Sequence, residues 1–341
     1  MKKLLLTALL LAAPAASAQT TPVPAVPATP PPSSPVAASA PPNTAATTTL
    51  SLTAQPGTTV ELTSTIRTQI TLEDVQTGGP GGKPSSAAED AQLRADFQKA
   101  MNAAAQTTTG KLFYKVQGRA ADGTVNLLTT VVTSVPGQGS INIRLSQTVA
   151  PNGKTQITRV ESDNPTVQAV LQRLSPEVLQ AQANKGGSLP DLYGQTFTVG
   201  QPRTQTTVVD AQAVLGSVFG ALASSLGEGN PFGDVKASPL TIRTTTTYRG
   251  TNAGGQRVFD MNSSAGTWTI ELGTLEGKAA PMHLKMELLD LTQSGQSLYR
   301  PDGLLAGQTQ TQTMRMRMTM SEPDGAQMQM LLRLNQNVQI R

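Results

Sequence analysis

The chain has no cysteine, a single histidine and few aromatic side chains, and each shortage removes a class of function. Without cysteine there is no disulfide, no thiolate metal ligand, no cysteine nucleophile and no lipobox residue to carry an acyl anchor. His283 is the only histidine. Zinc sites draw on several His or Cys ligands, so this inventory argues against one. A Ser-His-Asp triad would have to use His283, which lies on the polar side of the alternating stretch Met282-His283-Leu284-Lys285-Met286, and no G-x-S-x-G elbow supplies a nucleophile. Aromatics are 3% of residues, too few for the stacking walls common in sugar-cleaving sites. The acidic residues are scattered; Glu73-Asp74, Glu89-Asp90 and Asp302 with Asp324 can each be argued as a pair, but spacing alone does not bring two carboxyls to one cleft. No P-loop or dinucleotide fingerprint occurs, and Gly250 to Gly255 reads as a turn between strands with no helix after it. The chain reads as a non-enzymatic protein without a cofactor or metal.

Charge is scarce as well, at 14% of residues against 38% hydrophobic. The formal net charge is +4; the 26 basic residues fall to 24 once Lys2 and Lys3 are set aside, against 22 acidic. A balance so even leaves no basic footprint for nucleic acid. The one concentrated apolar run is Leu4 to Leu11, preceded by Lys2-Lys3 and followed by Ala16-Ser17-Ala18. A positive n-region, a short apolar core and a small-x-small site make residues 1–18 a secretory signal peptide, too short for a spanning helix. The mature chain is therefore expected to be exported to the periplasm, cell envelope or exterior, with no transmembrane span.

What is abundant is proline first, then alternation. Residues 19–48 are mostly Pro, Ala, Thr and Ser, without a charge and with almost no bulky apolar side chain, a disordered linker or polyproline spacer. From residue 49 onward the pattern is mainly β. Val60, Leu62, Ile66, Ile70 and Leu72 hold even positions, with Thr, Arg and Gln between them. Side chains on a strand alternate faces, so such a run is a half-buried strand. Ser86-Ala87-Ala88-Glu89 is a capping box opening a helix near 87–105, with Leu93 and Phe97 on its buried stripe. Further strands follow around Leu112–Val116, Val125–Val135, Ile141–Val149 and Thr155–Val160, with Asn152-Gly153 as a tight hairpin turn. Asn164-Pro165 and Ser175-Pro176 open a helical segment near 165–184.

The plan of strand, helix and meander then recurs, which divides the chain into two similar β-rich halves, 49–186 and 187–341. The second half carries strands at Leu240–Tyr248, Arg257–Met261, Trp268–Leu272 and Met282–Leu288. Its helix near 210–226 has no charge between Asp210 and Glu228; Val214, Val218 and Leu222 form one ridge with Phe219 beside it. The chain closes on a Met-rich hairpin. Met314, Met316, Met318 and Met320 alternate with Arg and Thr, and after a Pro-Asp-Gly turn Met328, Met330, Leu332 and Leu334 continue the alternation.

The methionine face admits three readings. Met fills irregular core gaps, it lines adaptable apolar binding surfaces, and its thioether is a soft ligand for Cu(I). Leu332 and Leu334 on the same face, with no histidine nearby, speak against the metal. Long antiparallel strands with apolar helices inserted between them, a Met/Leu-rich inner face and an export signal together resemble the half-barrel lipid and lipoprotein carriers of bacterial envelopes. The chain departs from them in lacking a lipobox cysteine and in being about twice the size of one such unit. The resemblance implies a curved sheet folded around helices, with a lipid, lipoprotein or other apolar ligand held between. The wall would be Met286, Met314, Met316, Met318, Met328 and Met330, with Val214, Val218, Phe219 and Leu222 as the lid. The competing expectation is a structural component of the envelope, bound to an envelope partner, with a closed core and no ligand.

Overall fold

A computed structural model describes residues 46–78, 86–104, 106–135, 139–173, 192–209, 212, 235–272, 283–322 and 325–341. In chain order its strands are β1 (Thr47–Thr49), β2 (Thr59–Gly78), β3 (Gln106–Arg119), β4 (Val125–Val135), β5 (Gly139–Val149), β6 (Thr155–Ser162), β7 (Thr196–Thr198), β8 (Pro202–Val209), β9 (Val235–Ala237), β10 (Leu240–Thr251), β11 (Arg257–Ala265), β12 (Trp268–Leu272), β13 (His283–Tyr299), β14 (Leu305–Ser321) and β15 (Gln327–Ile340). The helices among the described residues are α1 (Ala87–Ala104) and α2 (Pro165–Arg173). The mainly antiparallel β architecture is as the alternation predicts.

Thirteen strands form one sheet, in the order β6-β5-β4-β3-β2-β15-β14-β13-β11-β10-β8, with β12 continuing the β11 edge of β13 and β9 pairing β12. Every pairing in it is antiparallel. The two halves expected from the sequence do not pack as separate sheets. They join edge to edge, where β2 of the first pairs β15 of the second from Ser64↔Ile340 to Gly78↔Gln327. The first strand among the described residues, β1, begins at Thr47, inside the stretch read as linker, because it finds a partner: it pairs β7 with Thr48 opposite Phe197.

That small β1/β7 ribbon forces the large sheet to curl. Val149 on β5 and Tyr248 on β10 belong to one contiguous core with Leu50, Leu52 and Phe197. They sit eight strands apart in the sheet order. At about 4.8 Å per strand a flat sheet would separate them by roughly 38 Å, far beyond the reach of two three-residue strands. The ribbon therefore plugs one end of a strongly curved sheet. Its carbonyls and amides are tied to the hairpin turns there. Thr53 and Ala54 donate to Asp302 O at 2.8 and 3.0 Å, Gly200 N–H reaches Tyr248 O at 2.8 Å, and Arg119 Nη2 donates to Leu52 O at 2.9 Å.

The turns at this end share one construction. In Ala120–Thr124, Ala150–Lys154, Asn252–Gln256 and Arg300–Leu304 the first N–H donates to the fifth C=O and a positive-φ glycine at the fourth position donates back to the first. Asp122, Asn152 and Asp302 each accept from the N–H two residues on, the short-side-chain device that favours Asn and Asp in such loops. Two of the glycines also admit the plug. A Cβ on Gly153 would lie 1.7 Å from Tyr193 O, and one on Gly303 would lie 2.2 Å from Ser51 O.

The helices act as edge covers. β3 pairs β2 only as far as Thr68, which leaves the outer part of β2 without a strand neighbour on that side among the described residues. α1 lies along it: Gln98 Oε1 accepts from Leu72 N–H at 3.2 Å and Arg94 donates to Glu73 O. Asn164 caps α2, its Oδ1 accepting from Val167 N–H at 3.1 Å, as the Asn-Pro signal predicts. The part of the expected helical segment beyond residue 173 lies outside the described residues, as does the uncharged 210–226 segment apart from Gln212.

Candidate functional site

The enclosed face of the sheet changes character along its strands. At the plugged end it is aromatic and closed. Phe259 and Leu50 are fully buried, Tyr299 is 1% exposed, and Phe259 meets Phe197 and Tyr299 edge-on with centroids at 5.2 and 5.7 Å. Tyr193 donates its hydroxyl to Gly303 O at 2.7 Å. Burial holds the Tyr114, Tyr193 and Tyr299 phenols above their ordinary range, so they stay neutral.

At the other end the same face is aliphatic, and register aligns it into rows across the strands. The first row is Ile70, Leu334, Met314, Leu291, Ala265 and Ile242. Above it run Leu72, Leu332, Met316, Leu288 and Trp268, then Val75, Met330, Met318, Met286, Ile270 and Ala237. A further row is Met328, Met320, Leu284, Leu272 and Val235. Bulges at Leu288/Asp290 and Leu331/Leu332 keep the apolar residues on one face, since an uncorrected slip of one residue would turn them to the other.

The flanks of this field are covered. Leu93 and Phe97 of α1 pack on Leu72, Val75, Met330 and Leu332, while Val235 and Ala237 of β9 pack with Ile270 and Leu272. Trp268 anchors the second flank through a 2.6 Å bond from Nε1 to Ser238 O. The centre is less enclosed: Met314, Met316, Met318 and Met320 are all only half-buried.

The opposite face of these strands is ionic. Glu73 bridges Arg315 and Arg333 at 2.6 and 2.5 Å, and Glu287 pairs with Lys285 and Arg317 at 3.0 and 3.2 Å. Burial alone would raise the Glu73 carboxyl, but the hydrogen bonds and charges of Arg315 and Arg333 outweigh it and hold it below its ordinary value. Lys285 and then Arg317 do the same for Glu287. Glu73 is thus held between Arg315 and Arg333, while its neighbour Asp74 faces Arg94 at 3.8 Å. Asp302 is paired with Arg300 in the turn before β14, and Asp324 lies outside the described residues. Among the described residues no three His, Asp or Glu side chains are grouped as metal ligands.

Six of the residues expected to form an apolar wall do share one face. Met286, Met318 and Met330 stand in a single row; Met328 is one row above them, Met316 one below and Met314 two below. The expected lid residues Val214, Val218, Phe219 and Leu222 lie outside the described residues. Sequence reasoning missed the contribution of Trp268, Ile270 and Leu272 to the same wall, although their alternation was readable. It also missed the row beneath it. Thr68, Gln336, Gln312, Gln293, Ser263 and Thr244 stand opposite one another on six successive strands, immediately below the lowest apolar row. The signal was present in Gln308-Thr309-Gln310-Thr311-Gln312-Thr313-Met314, where the glutamines occupy the methionine face.

No helix among the described residues is long and apolar enough to cross a membrane, which leaves open any crossing by strands. No protein-family model, curated protein or solved structure matches this chain.

Proposed function

We propose that the protein is an exported, non-enzymatic carrier that holds an apolar ligand, a lipid or the acyl part of a lipoprotein, against the Met/Leu rows at the methionine end of its sheet. The observation that carries this reading is the half-burial of Met314, Met316, Met318 and Met320 at the centre of an otherwise apolar field. The neighbours of these methionines in the same rows, Leu332, Leu288 and Met330, are at most 5% exposed, so a half-buried stripe runs along β14 between buried side chains. Unbranched thioether side chains repack easily, which suits a surface that accepts chains of variable length and unsaturation. A contiguous apolar patch rimmed by polar residues is the usual mark of a ligand or partner site. The 1–18 leader supports an extracytoplasmic setting, where carriers of water-insoluble molecules are needed.

The test is to purify the full chain from its own host without detergent and analyse it by native mass spectrometry and organic extraction. Co-purifying acyl-chain masses are expected. A clean apo mass, together with failure to bind an apolar fluorescent dye, contradicts the carrier and leaves the structural-component reading in its place.

A further inference from the structure

The polar row below the methionines is out of place in a core. Gln293 is 2% exposed, and Gln312 and Gln336 are 3%. Gln336 Nε2 reaches Thr68 Oγ1 at 3.4 Å, and Thr244 and Ser263 share a hydrogen bond at 2.8 Å between their hydroxyls. The two central members are different. Gln293 Nε2 and Gln312 Oε1, side by side on β13 and β14, have no hydrogen-bond partner among the described residues. Buried polar groups are nearly always paired, and each exception calls for a cause. One orphan is a donor and the other an acceptor, and both lie on the face that the Met/Leu rows continue.

Chemistry narrows what would complete this pair. A hydrocarbon leaves both groups unsatisfied. A carboxylate or a phosphodiester can accept from Gln293 Nε2 but offers no donor to Gln312 Oε1, and the row contains no Lys, Arg or His to offset the desolvation of an anion. A hydroxyl or a carboxamide both accepts and donates.

Resting on the carrier reading above, we propose that the row Thr68–Gln336–Gln312–Gln293–Ser263–Thr244 recognises the uncharged hydroxyl or carboxamide group of an amphipathic ligand, whose hydrocarbon part lies along the Met/Leu rows. The polar group enters first and rests on the row; the aromatic plug beyond it sets the depth. The site selects by charge as well as by hydrogen bonding, so ligands with the same chain are ranked by their head group.

The test compares three ligands of one chain length, dodecan-1-ol, dodecanamide and dodecanoate at pH 8, by displacement of N-phenyl-1-naphthylamine from the full chain. The alcohol and the amide are expected to bind at least about tenfold more tightly than the carboxylate, as sites built for hydrogen bonding reject partners that leave a group unpaired. In the double variant Q293L/Q312L, checked for native circular dichroism, that preference falls to within about twofold while the dye still binds. The single variant Q293M gives the same readout if the double variant does not fold. Dye binding with three equal ligands, or a preference that survives the substitutions, overturns the head-group assignment alone. Electron density showing only water bridging Gln293 and Gln312 in crystals grown with saturating dodecan-1-ol overturns it too. Failure of the dye itself to bind removes the carrier reading and this inference together.

Discussion

The two ends of one sheet use the same strands for opposite purposes. At the plugged end, Phe259, Tyr299, Tyr248 and Phe197 interlock around the β1/β7 ribbon and exclude solvent. At the other, Met314 to Met320 are spread over β14 with flexible side chains that are only half-buried. Rigid rings in fixed edge-on contacts specify one packing; thioethers tolerate several. Stability should therefore reside at the plugged end and adaptability at the methionine end, and substitutions at each should be felt in different measurements.

The largest effect is expected from Phe259→Ala. The side chain is fully buried and touches three other rings, so its loss should lower unfolding free energy by about 3–5 kcal/mol, read by chemical denaturation. Met316→Ala, at the half-buried centre of the field, should cost about 1 kcal/mol or less yet weaken apolar dye binding several-fold. If the two substitutions destabilise equally, the division between the ends fails.

The plugged end also carries a pH signature. Tyr114, Tyr193 and Tyr299 ionise near their ordinary 10.0 in the unfolded chain, while burial raises them in the fold. The stability this contributes is fully present below pH 10 and is lost as pH rises above that value toward the folded phenols' range. A denaturation midpoint that falls as pH rises above 10 is the expected result. At the methionine end Glu73→Gln should have the smallest effect, below about 1 kcal/mol, because Arg315 and Arg333 remain substantially solvated. Its lowered carboxyl makes that small contribution present above the ordinary 4.5 and lost as pH falls through the folded value.

Much of this arrangement was legible in local pattern. Even-position residues of Val60–Leu72 and Met314–Met320 announced the face they share, and Asn152-Gly153 and Asn164-Pro165 announced a turn and a cap. What local pattern could not carry was partnership. Thr47–Thr49 is too short and too polar to declare itself a strand; it is one only because β7, about 150 residues later, supplies its bonds. The joining of the two halves through Ile70 and Leu334 is likewise a long-range pairing, invisible to periodicity. The glutamine row was hidden for another reason. Gln and Thr on an outward face look the same in sequence as Gln on an enclosed one, and only the register with Ser263 and Thr68 distinguishes them.

The central claim is that the methionine end receives a ligand and the plugged end does not, and methyl NMR on protein labelled at the methionine ε-carbon tests it most directly. Titration with dodecan-1-ol should shift the Met314, Met316, Met318 and Met330 methyl resonances more than that of Met261, which lies one row beyond the glutamine row toward the plug on β11. Shifts spread evenly over all the methionines, or none at saturating ligand, would contradict the account.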